Sequence, residues 1–404
     1  MITLKPLAII GLFMAPCFAI PASASIELIA SGTVSGSADD LSGLTGNYGA
    51  TSDRKAQLGS FGSAIDWTGT GYRFIAVNDR GYSDGTVDYD TRFQSFTLDV
   101  DPASHKIAFH LDATHLFKNE SGSQLLGSSR AFNLGPNGSS LRLDPEGVRI
   151  AANGHLFVSD EYGPGIYEFD AEGKRIRTLP VPAKFQIQSP SAEGDAELTG
   201  NTSGRQANRG FEGLAISPDK KTLFAILQSP LLQDGALSKK GKRAGVNNRI
   251  LQIDIATGKT HEYVYQLSDG AKNGVNELLA VNDHQFLAIE RDGKGGAEAK
   301  SKLITLIDIA GATDISNVQI LPADANLGDI KPVTKTTFID LLDPAYHIVT
   351  PDMPEKFEGL AFGPQTPDGR IQLFVTTDND LVATQDTHIW DFAIDKASLP
   401  GYVH

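Results

Sequence analysis

The chain has 404 residues, a formal net charge of −14 and 40% hydrophobic residues. An acidic balance of this size argues against nucleic acid or an anionic membrane surface as a partner. The single cysteine, Cys17, lies near the start, which excludes a disulfide framework and a cysteine-bound metal from the rest of the chain. The length is sufficient for a hydrophobic core that is stable without such cross-links.

The first residues predict a signal peptide. Lys5 precedes an apolar stretch from Leu7 to Ile20, and Ala22-Ser23-Ala24 has the small residues of a cleavage site. The apolar stretch is short for a membrane span, which favours cleavage over an uncleaved anchor. We therefore predict a signal peptide at 1–24 and a single domain at 25–404 without a membrane span. The predicted location is periplasmic or secreted.

After this leader, apolar and polar residues alternate in short runs that are separated by Gly, Asp, Asn and Pro. The pattern predicts strands and hairpins rather than long helices. The runs fall into five groups of up to four strands, over residues 63–111, 146–179, 212–267, 276–309 and 358–394. The fourth strand is unclear in the fourth group and missing from the fifth.

Repeated four-stranded meanders are typical of a β-propeller, so the predicted fold class is an all-β propeller of five or six four-stranded blades. The early strand Ile26–Ala30 is predicted to supply the missing edge of the fifth group and to close the ring. Closure matters because an open ring would leave exposed strand edges. Whether a sixth blade lies within 119–143, 185–209 or 320–345 stays open.

A Glu-Gly pair recurs at the start of three groups, at Glu146, Glu212 and Glu358, and Glu277 is a fourth candidate. First strands line the channel of a propeller, so equivalent residues on these strands are expected to converge. Converging carboxylates repel one another unless a cation binds, and oxygen ligands favour calcium or magnesium over zinc. Alternatively, the pair is a packing device, in which Gly permits a close approach and Glu caps backbone amides.

Second strands also end in charged residues, and these complete the predicted site. The predicted ligands of a divalent cation, taken to be calcium, are Glu146, Glu212, Glu277 and Glu358, assisted by Asp160 and Asp378. Glu161 or Glu290 is the predicted general base, and Arg80 and Arg291 are predicted to orient an anionic group. The basic run Lys239–Arg243 is either a solvated loop or a lid that meets an anionic substrate.

Several of these motifs together resemble a known family. They are Asp144–Gly147, Gly210–Ala215, Leu223–Ser229, Asn248–Leu251 and Ile289–Asp292. Over roughly residues 62 to 380 the chain resembles the bacterial phytase-like family, which is described as having esterase-like activity of phytase. The resemblance implies an exported β-propeller that hydrolyses ester or phosphoester bonds. It supplies no catalytic residues, so the assignments above rest on propeller geometry alone.

The sequence therefore predicts an exported, metal-dependent hydrolase of small-molecule esters or phosphoesters. Two alternatives stay open. One is a non-catalytic propeller that binds a ligand or a protein partner in the cell envelope. The other is a lactonase, which would use similar metal chemistry on an uncharged substrate and would not require Arg80 and Arg291.

Overall fold

The computed structural model describes residues 25–403, and most of its regular structure is β-strand. The predicted signal peptide and Cys17 lie outside the described residues. The strands are β1 (Ile26–Val34), β2 (Ala64–Trp67), β3 (Arg73–Val77), β4 (Arg92–Asp101), β5 (Lys106–Leu116), β6 (Pro145–Ile150), β7 (Leu156–Asp160), β8 (Gly165–Phe169), β9 (Arg175–Thr178), β10 (Phe211–Ile216), β11 (Thr222–Leu227), β12 (Asn247–Asp254), β13 (Thr260–Gln266), β14 (Asn273–Ala280), β15 (Gln285–Asp292), β16 (Lys302–Asp308), β17 (Thr334–Asp340), β18 (Lys356–Phe362), β19 (Ile371–Asp378) and β20 (Thr387–Ile394).

Helical structure is confined to short segments in the connections. These are α1 (Tyr82–Gly85), α2 (Gly194–Thr199) and 3-10 turns at Ser129–Asn133, Pro136–Gly138, Ala183–Phe185, Leu232–Asp234, Gly270–Lys272, Gly296–Glu298, Pro344–Tyr346 and Lys396–Ser398. None of the helices between residues 25 and 403 has the length and apolar character to cross a membrane.

Within the described residues, the strands form three four-stranded sheets and one eight-stranded sheet. The four-stranded sheets are the meanders β6–β9, β10–β13 and β14–β17. The eight-stranded sheet has the order β18-β19-β20-β1-β5-β4-β3-β2, in which β1 and β5 meet in parallel at Ser31 and Lys106. It therefore consists of two groups of four strands joined edge to edge.

The all-β class predicted from the sequence is confirmed, and two of its open points are answered. The fourth strand of the fourth group is β17, which comes from the segment 320–345. The early strand is β1, which pairs antiparallel with β20 from Ile26 opposite Ile394 to Val34 opposite Thr387. The segments 119–143 and 185–209 contain short helical turns and isolated bridges but no sheet strand.

The arrangement of the groups is propeller-like. The first strand of each group contacts the first strand of the next, in the order β2, β6, β10, β14 and β18, and β18 contacts β2. Apolar side chains fill the space between consecutive groups. Phe224 on β11 and Phe286 on β15, for example, have ring centroids 4.6 Å apart. Burial of such rings stabilises the packing of one group on another.

Candidate functional site

A cavity of about 740 Å³ lies where the first strands of the groups meet. Every group contributes to its lining: Arg80 follows β3, Glu146 is on β6, Glu212 on β10, Asn276 on β14 and Glu358 on β18. The lining therefore combines carboxylates and cations in one partly enclosed space. Such a concave, polar site is suited to a small charged ligand.

A β-bulge in each of four first strands places one residue at the cavity. The register of β6 with β7 shifts between Pro145 and Gly147, and that of β10 with β11 shifts between Phe211 and Gly213. The bulged residues are therefore Glu146 and Glu212, and the same shift in β18 selects Glu358. All three line the cavity, so the predicted convergence of these glutamates is found in the structure.

Glu277 is not equivalent to these three glutamates, because the bulge in β14 falls between Val275 and Glu277. The bulged residue is Asn276, whose Nδ2 donates to Oε1 of Glu212 at 2.7 Å. Glu277 is fully buried away from the cavity lining. Its Oε2 lies 3.0 Å from Nη2 of Arg149, so its carboxylate serves a buried ion pair rather than a cation site.

Three carboxylates, from Asp144, Glu146 and Glu161, lie together and form what we call the inner carboxylate cluster. One oxygen of each lies within 4.8 Å of the others, and all three residues are buried. Oδ2 of Asp144 has no hydrogen-bond partner, whereas Oδ1 accepts from the backbone N–H of Arg80 at 2.9 Å. Burial and the carboxylates of Glu212 and Asp144 raise the pKa of Glu146 well above its usual range.

Glu212 extends the inner carboxylate cluster toward β10. Its Oε1 accepts from Gln228 and from Asn276, while Oε2 is buried without a hydrogen-bond partner. Burial, followed by the charges of Glu161 and Glu358, raises the pKa of Glu212 well above its usual range. The cluster therefore holds more negative charge than its own hydrogen bonds offset, which is the situation that a bound cation relieves.

A second acidic group contains its own cation, and we call it the lysine-centred cluster. It consists of Asp79, Asp378 and Asp380 around Lys356. Nζ of Lys356 is 3.1 Å from Oδ2 of Asp378 and also contacts Asp380. Oγ of Ser60 lies 2.7 Å from Oδ1 of both Asp79 and Asp378. An ammonium already occupies the place that a metal would take, so Asp378 serves an internal salt bridge.

Strand alternation explains which charged residues at the ends of second strands reach the cavity. Asp160 pairs with Pro145 and Glu290 pairs with Val275, so these two residues are equivalent. Glu161 and Arg291 follow them, and successive side chains point to opposite faces of a strand. Glu161 and Arg291 line the cavity, whereas Asp160 and Glu290 do not.

Asp160 and Glu290 are instead saturated by donors of the surrounding protein. Asp160 accepts from the N–H groups of Asp144, Tyr162 and Gly163 and from the hydroxyl of Tyr167. Glu290 accepts from donors of four residues, Tyr265, Ser268, Asn273 and Lys335, and Ser268 donates both its backbone N–H and its hydroxyl. Burial would raise the pKa of Glu290, but Lys335 and these hydrogen bonds outweigh burial and lower it. The structure therefore gives neither residue the position predicted from the sequence.

Both arginines predicted for the site line the cavity, and both have carboxylate partners. Nη2 of Arg291 donates to Oε1 of Glu358 at 2.5 Å. Nη2 of Arg80 donates to Oδ1 of Asp84 at 3.1 Å, and Nη1 lies 3.6 Å from Oδ2 of Asp144. These contacts fix both guanidinium groups against the acidic side chains of the site.

Four residues of the site were missed by sequence reasoning, although one had a usable signal. Asp144 stands two residues before Glu146 in the Asp144–Gly147 motif, so it could have been predicted together with the acidic residues of the site. Asn276, Lys356 and Arg209 carried no such signal. Their positions depend on a bulge, on an ion pair between neighbouring strands and on an irregular loop, respectively.

Comparison with known proteins agrees with the motifs. A family model described as "Phytase-like: Esterase-like activity of phytase" matches residues 56–381. The chain belongs to this phytase-like family. The matched residues include the inner carboxylate cluster, the lysine-centred cluster and both predicted arginines. Membership therefore concerns the part of the chain that forms the cavity.

A relative from Arthroderma benhamiae, named an uncharacterized secreted protein, is 28% identical over 401 aligned positions and covers 78% of this chain and 75% of the relative. Among solved structures, the tail fibre of Staphylococcus aureus phage P68 is 9% identical with a TM-score of 0.40, covering 93% of this chain and 54% of the fibre chain. The calcium-binding protein regucalcin from Agrobacterium tumefaciens is 11% identical with a TM-score of 0.36, covering 84% of this chain and 92% of the regucalcin chain. Structural likenesses this weak do not bear on the chemistry of the cavity.

Proposed function

We propose that this protein is an exported, metal-dependent hydrolase that cleaves ester or phosphoester bonds of a small molecule bound in the cavity. The observation that carries the proposal is the inner carboxylate cluster. It gathers buried carboxylates beside a cavity and leaves Oδ2 of Asp144 and Oε2 of the adjacent Glu212 without hydrogen-bond partners. Membership of a family described by esterase-like activity supports hydrolysis as the reaction class.

The residues of the inner carboxylate cluster fit a hard divalent cation, and calcium is the proposed ion. Asp144, Glu146 and Glu161 offer only oxygen ligands, which calcium and magnesium prefer over the nitrogen and sulfur ligands typical of zinc. The cation would also relieve the repulsion that raises the pKa of Glu146. When bound, such a cation supplies a water of lowered pKa and polarises the oxygen of the scissile bond.

Glu212 is the proposed general base. Gln228 and Asn276 fix its Oε1, so the carboxylate is held in one orientation while Oε2 stays without a partner. A cation bound by the adjacent cluster would favour the ionised form of Glu212, which is the form that accepts a proton. Glu212 would take the proton of the attacking water at Oε2, and Arg291 would hold the substrate beside it.

The proposed architecture is a closed ring of five blades with the cavity at its axis. The cyclic contacts among β2, β6, β10, β14 and β18 support this count. The pairing of β1 with β20 supports closure, because the N-terminal strand then supplies the fourth strand of the last blade. Such a ring would hold charged residues from different blades at fixed distances, which is required of a preorganised site.

Export is proposed from the leader-like composition of 1–24 and from the relative that is named a secreted protein. Whether the destination is the periplasm or the medium is a separate matter from the chemistry. Fractionation of cells that express the full-length chain tests export directly, because a processed protein begins near Ser25 and leaves the cytoplasm. Retention of the unprocessed chain in the cytoplasm would contradict this part of the proposal.

The test of the proposed reaction is an assay on the purified protein with p-nitrophenyl phosphate, bis-p-nitrophenyl phosphate, p-nitrophenyl acetate, phytate and a sugar lactone. Each substrate is measured with calcium and with EDTA. We expect calcium-dependent turnover of at least one ester that Glu212→Gln reduces by roughly 100-fold, in the range typical of general-base catalysis. Glu172→Gln is the matched control, because Glu172 is an exposed acid in the turn between β8 and β9.

The pattern of activity decides among the candidate functions. Turnover of phosphate esters supports the proposal in its phosphoester form, and turnover of p-nitrophenyl acetate alone restricts it to carboxylic esters. Turnover of the lactone alone would replace it with lactone hydrolysis. Calcium binding without turnover of any substrate would overturn hydrolysis in favour of a ligand-binding propeller.

A further inference from the structure

Arg209 is a cation of the cavity that the proposed reaction does not use. It lies in the loop before β10, where its backbone N–H donates to the carbonyl of Gln206 at 3.1 Å. Its side chain lines the same cavity as Glu161 and Glu212. It is therefore placed where a bound ligand would meet it.

The guanidinium group of Arg209 has no carboxylate partner within residues 25–403, and its Nε is buried without a hydrogen-bond partner. The missing ion pair sets the partly buried Arg209 apart from the buried arginines within residues 25–403, although Arg149 and Arg291 also have an Nε without a hydrogen-bond partner. Arg92 pairs with Asp40, Arg149 with Glu277, Arg205 with Glu197, Arg249 with Asp234 and Arg291 with Glu358. A charge that is partly removed from water without an ion-pair partner is costly, so its presence at a cavity indicates a ligand that completes it.

A second unpaired guanidinium lies at the rim of the same cavity. Arg243 is exposed, comes from the loop before β12 and has no ion pair among the described residues. Burial and then the charge of Arg243 lower the pKa of Arg209 to about 10, so Arg209 remains charged at neutral pH. Two like charges that repel each other are stabilised together by an anion between them.

A purely structural role for Arg209 would be to offset the negative charge of Glu161 and Glu212. Both carboxylates do attract it, but neither forms an ion pair with it. Glu161 also attracts Arg243 at the rim, again without an ion pair among the described residues. The structural role therefore leaves two guanidinium groups at one cavity without an ion-pair partner among the described residues.

We infer that Arg209, assisted by Arg243, binds a tetrahedral oxyanion group of the ligand, such as a phosphate or sulfate. The planar fork of a guanidinium matches two oxygens of such a group and binds them through charge-assisted hydrogen bonds. This inference deepens the proposed function by naming the ligand class, because it makes the substrate anionic. It needs no turnover, so it can hold even where hydrolysis fails.

The experiment is isothermal titration of the full chain, after leader removal, with inorganic phosphate, in calcium and in EDTA. We expect Arg209→Gln to weaken phosphate binding roughly 10- to 100-fold, the range for loss of a charged hydrogen bond, and Arg209→Lys to weaken it less. Arg73→Gln is the matched control, since Arg73 is exposed on β3 outside the cavity. Titration with sulfate and acetate separates tetrahedral oxyanions from carboxylates.

A second readout separates ligand binding from a structural role. Without phosphate, Arg209→Gln removes a partly buried charge that has no ion pair, so its Tm is expected to equal or exceed that of the wild type. A lowered Tm would indicate that Arg209 supports the fold, and phosphate binding equal to that of Arg73→Gln would overturn the inference. Tight phosphate binding without ester turnover would sustain the inference and contradict only the proposed reaction.

Discussion

The carboxyl group of Asp391 shows how one buried acid outside the cavity affects the molecule. Asp391 is fully buried on β20, where its Oδ2 accepts from Nε2 of Gln372 and its Oδ1 has no partner. Burial raises the pKa of Asp391 to about 7. The folded state therefore prefers the protonated form, whereas the unfolded chain ionises near pH 4. This stabilisation is complete below about pH 4 and is lost as the pH rises to about 7.

Asp391→Asn is expected to remove this pH dependence, because Asn keeps the shape but cannot ionise. Between about pH 5 and about pH 8, the free energy of unfolding of the wild type should fall by about 1–4 kcal/mol more than that of the variant. Urea denaturation in EDTA at both pH values measures the difference. Glu172→Gln serves as the exposed control, and parallel pH profiles for the wild type and Asp391→Asn would contradict the assignment.

The residues of the site could be predicted from the sequence only as far as the repeat itself extends. Glu146, Glu212 and Glu358 precede Gly in the same motif, so their convergence at one site could be predicted. The prediction that Glu277 reaches the cavity was wrong by one position. A bulge changes which residue faces the cavity, and the amino-acid sequence does not show where the bulge falls. Arg291 and Glu290 are adjacent, and only strand register separates the one that reaches the cavity from the one that does not.

The recurring Gly in the Glu-Gly pair has a packing role that the sequence also suggested. A Cβ at Gly213 would lie 2.6 Å from the backbone carbonyl carbon of Glu277, so the neighbouring first strand leaves no room for a side chain. The Glu of the pair behaves differently, since Glu212 lines the cavity and does not cap a backbone amide. In this motif, therefore, Gly permits close packing of neighbouring strands and Glu lines the cavity.

At the scale of elements, β1 is the strand whose position depends most on distant parts of the chain. Its sequence predicted a strand and a partner in the last group, and both are observed. Its contact with β5 was not predicted, because a parallel meeting at one residue pair has no sequence signal. The unclear strand β17 was missed for a related reason, since a long connection separates it from β16.

Gly32 tests the contact between β1 and β5. A Cβ at this position would lie 2.3 Å from the backbone carbonyl oxygen of Ile107, so one of the two strands must move. Gly32→Ala is expected to reduce the free energy of unfolding by about 1–3 kcal/mol, as overpacking does. Gly194→Ala is the matched control, because no atom lies within 4 Å of a Cβ there, and its effect should stay within about 0.5 kcal/mol.

Urea denaturation measures the free energy of unfolding of both variants. Equal stability of Gly32→Ala and Gly194→Ala would show that β1 does not pack tightly against β5. The same measurement bears on the joining of the first and last groups, since these two strands join the two groups edge to edge.

At the scale of the whole molecule, the two acidic clusters of the cavity differ in what neutralises them. The lysine-centred cluster contains the ammonium of Lys356, whereas the one ion pair that the inner carboxylate cluster makes within residues 25–403 is the longer contact of Asp144 with Arg80. Net charge and composition could not reveal this difference, because both clusters consist of acids that lie far apart along the chain. Only the fold decides which acids share a cation and which remain uncompensated.

This difference predicts a selective response of the whole fold to calcium. A ligand that binds only the folded state stabilises it by ~2.7 kcal/mol at a concentration 100-fold above its Kd. Calcium should therefore raise the Tm of the wild type, and Asp144→Asn should lose most of that shift because it removes a ligand of the inner carboxylate cluster. Asp378→Asn should keep the shift, since Lys356 already occupies its cluster.

Thermal unfolding of the three proteins, in calcium and in EDTA at about pH 8, makes the comparison. Asn at 144 still offers an oxygen to the N–H of Arg80, so the loss of calcium response in Asp144→Asn is separable from a loss of structure. A calcium shift that both variants lose equally would point to diffuse attraction by the acidic surface. A shift lost only in Asp378→Asn would place the cation in the other cluster, where it would have to displace the ammonium of Lys356.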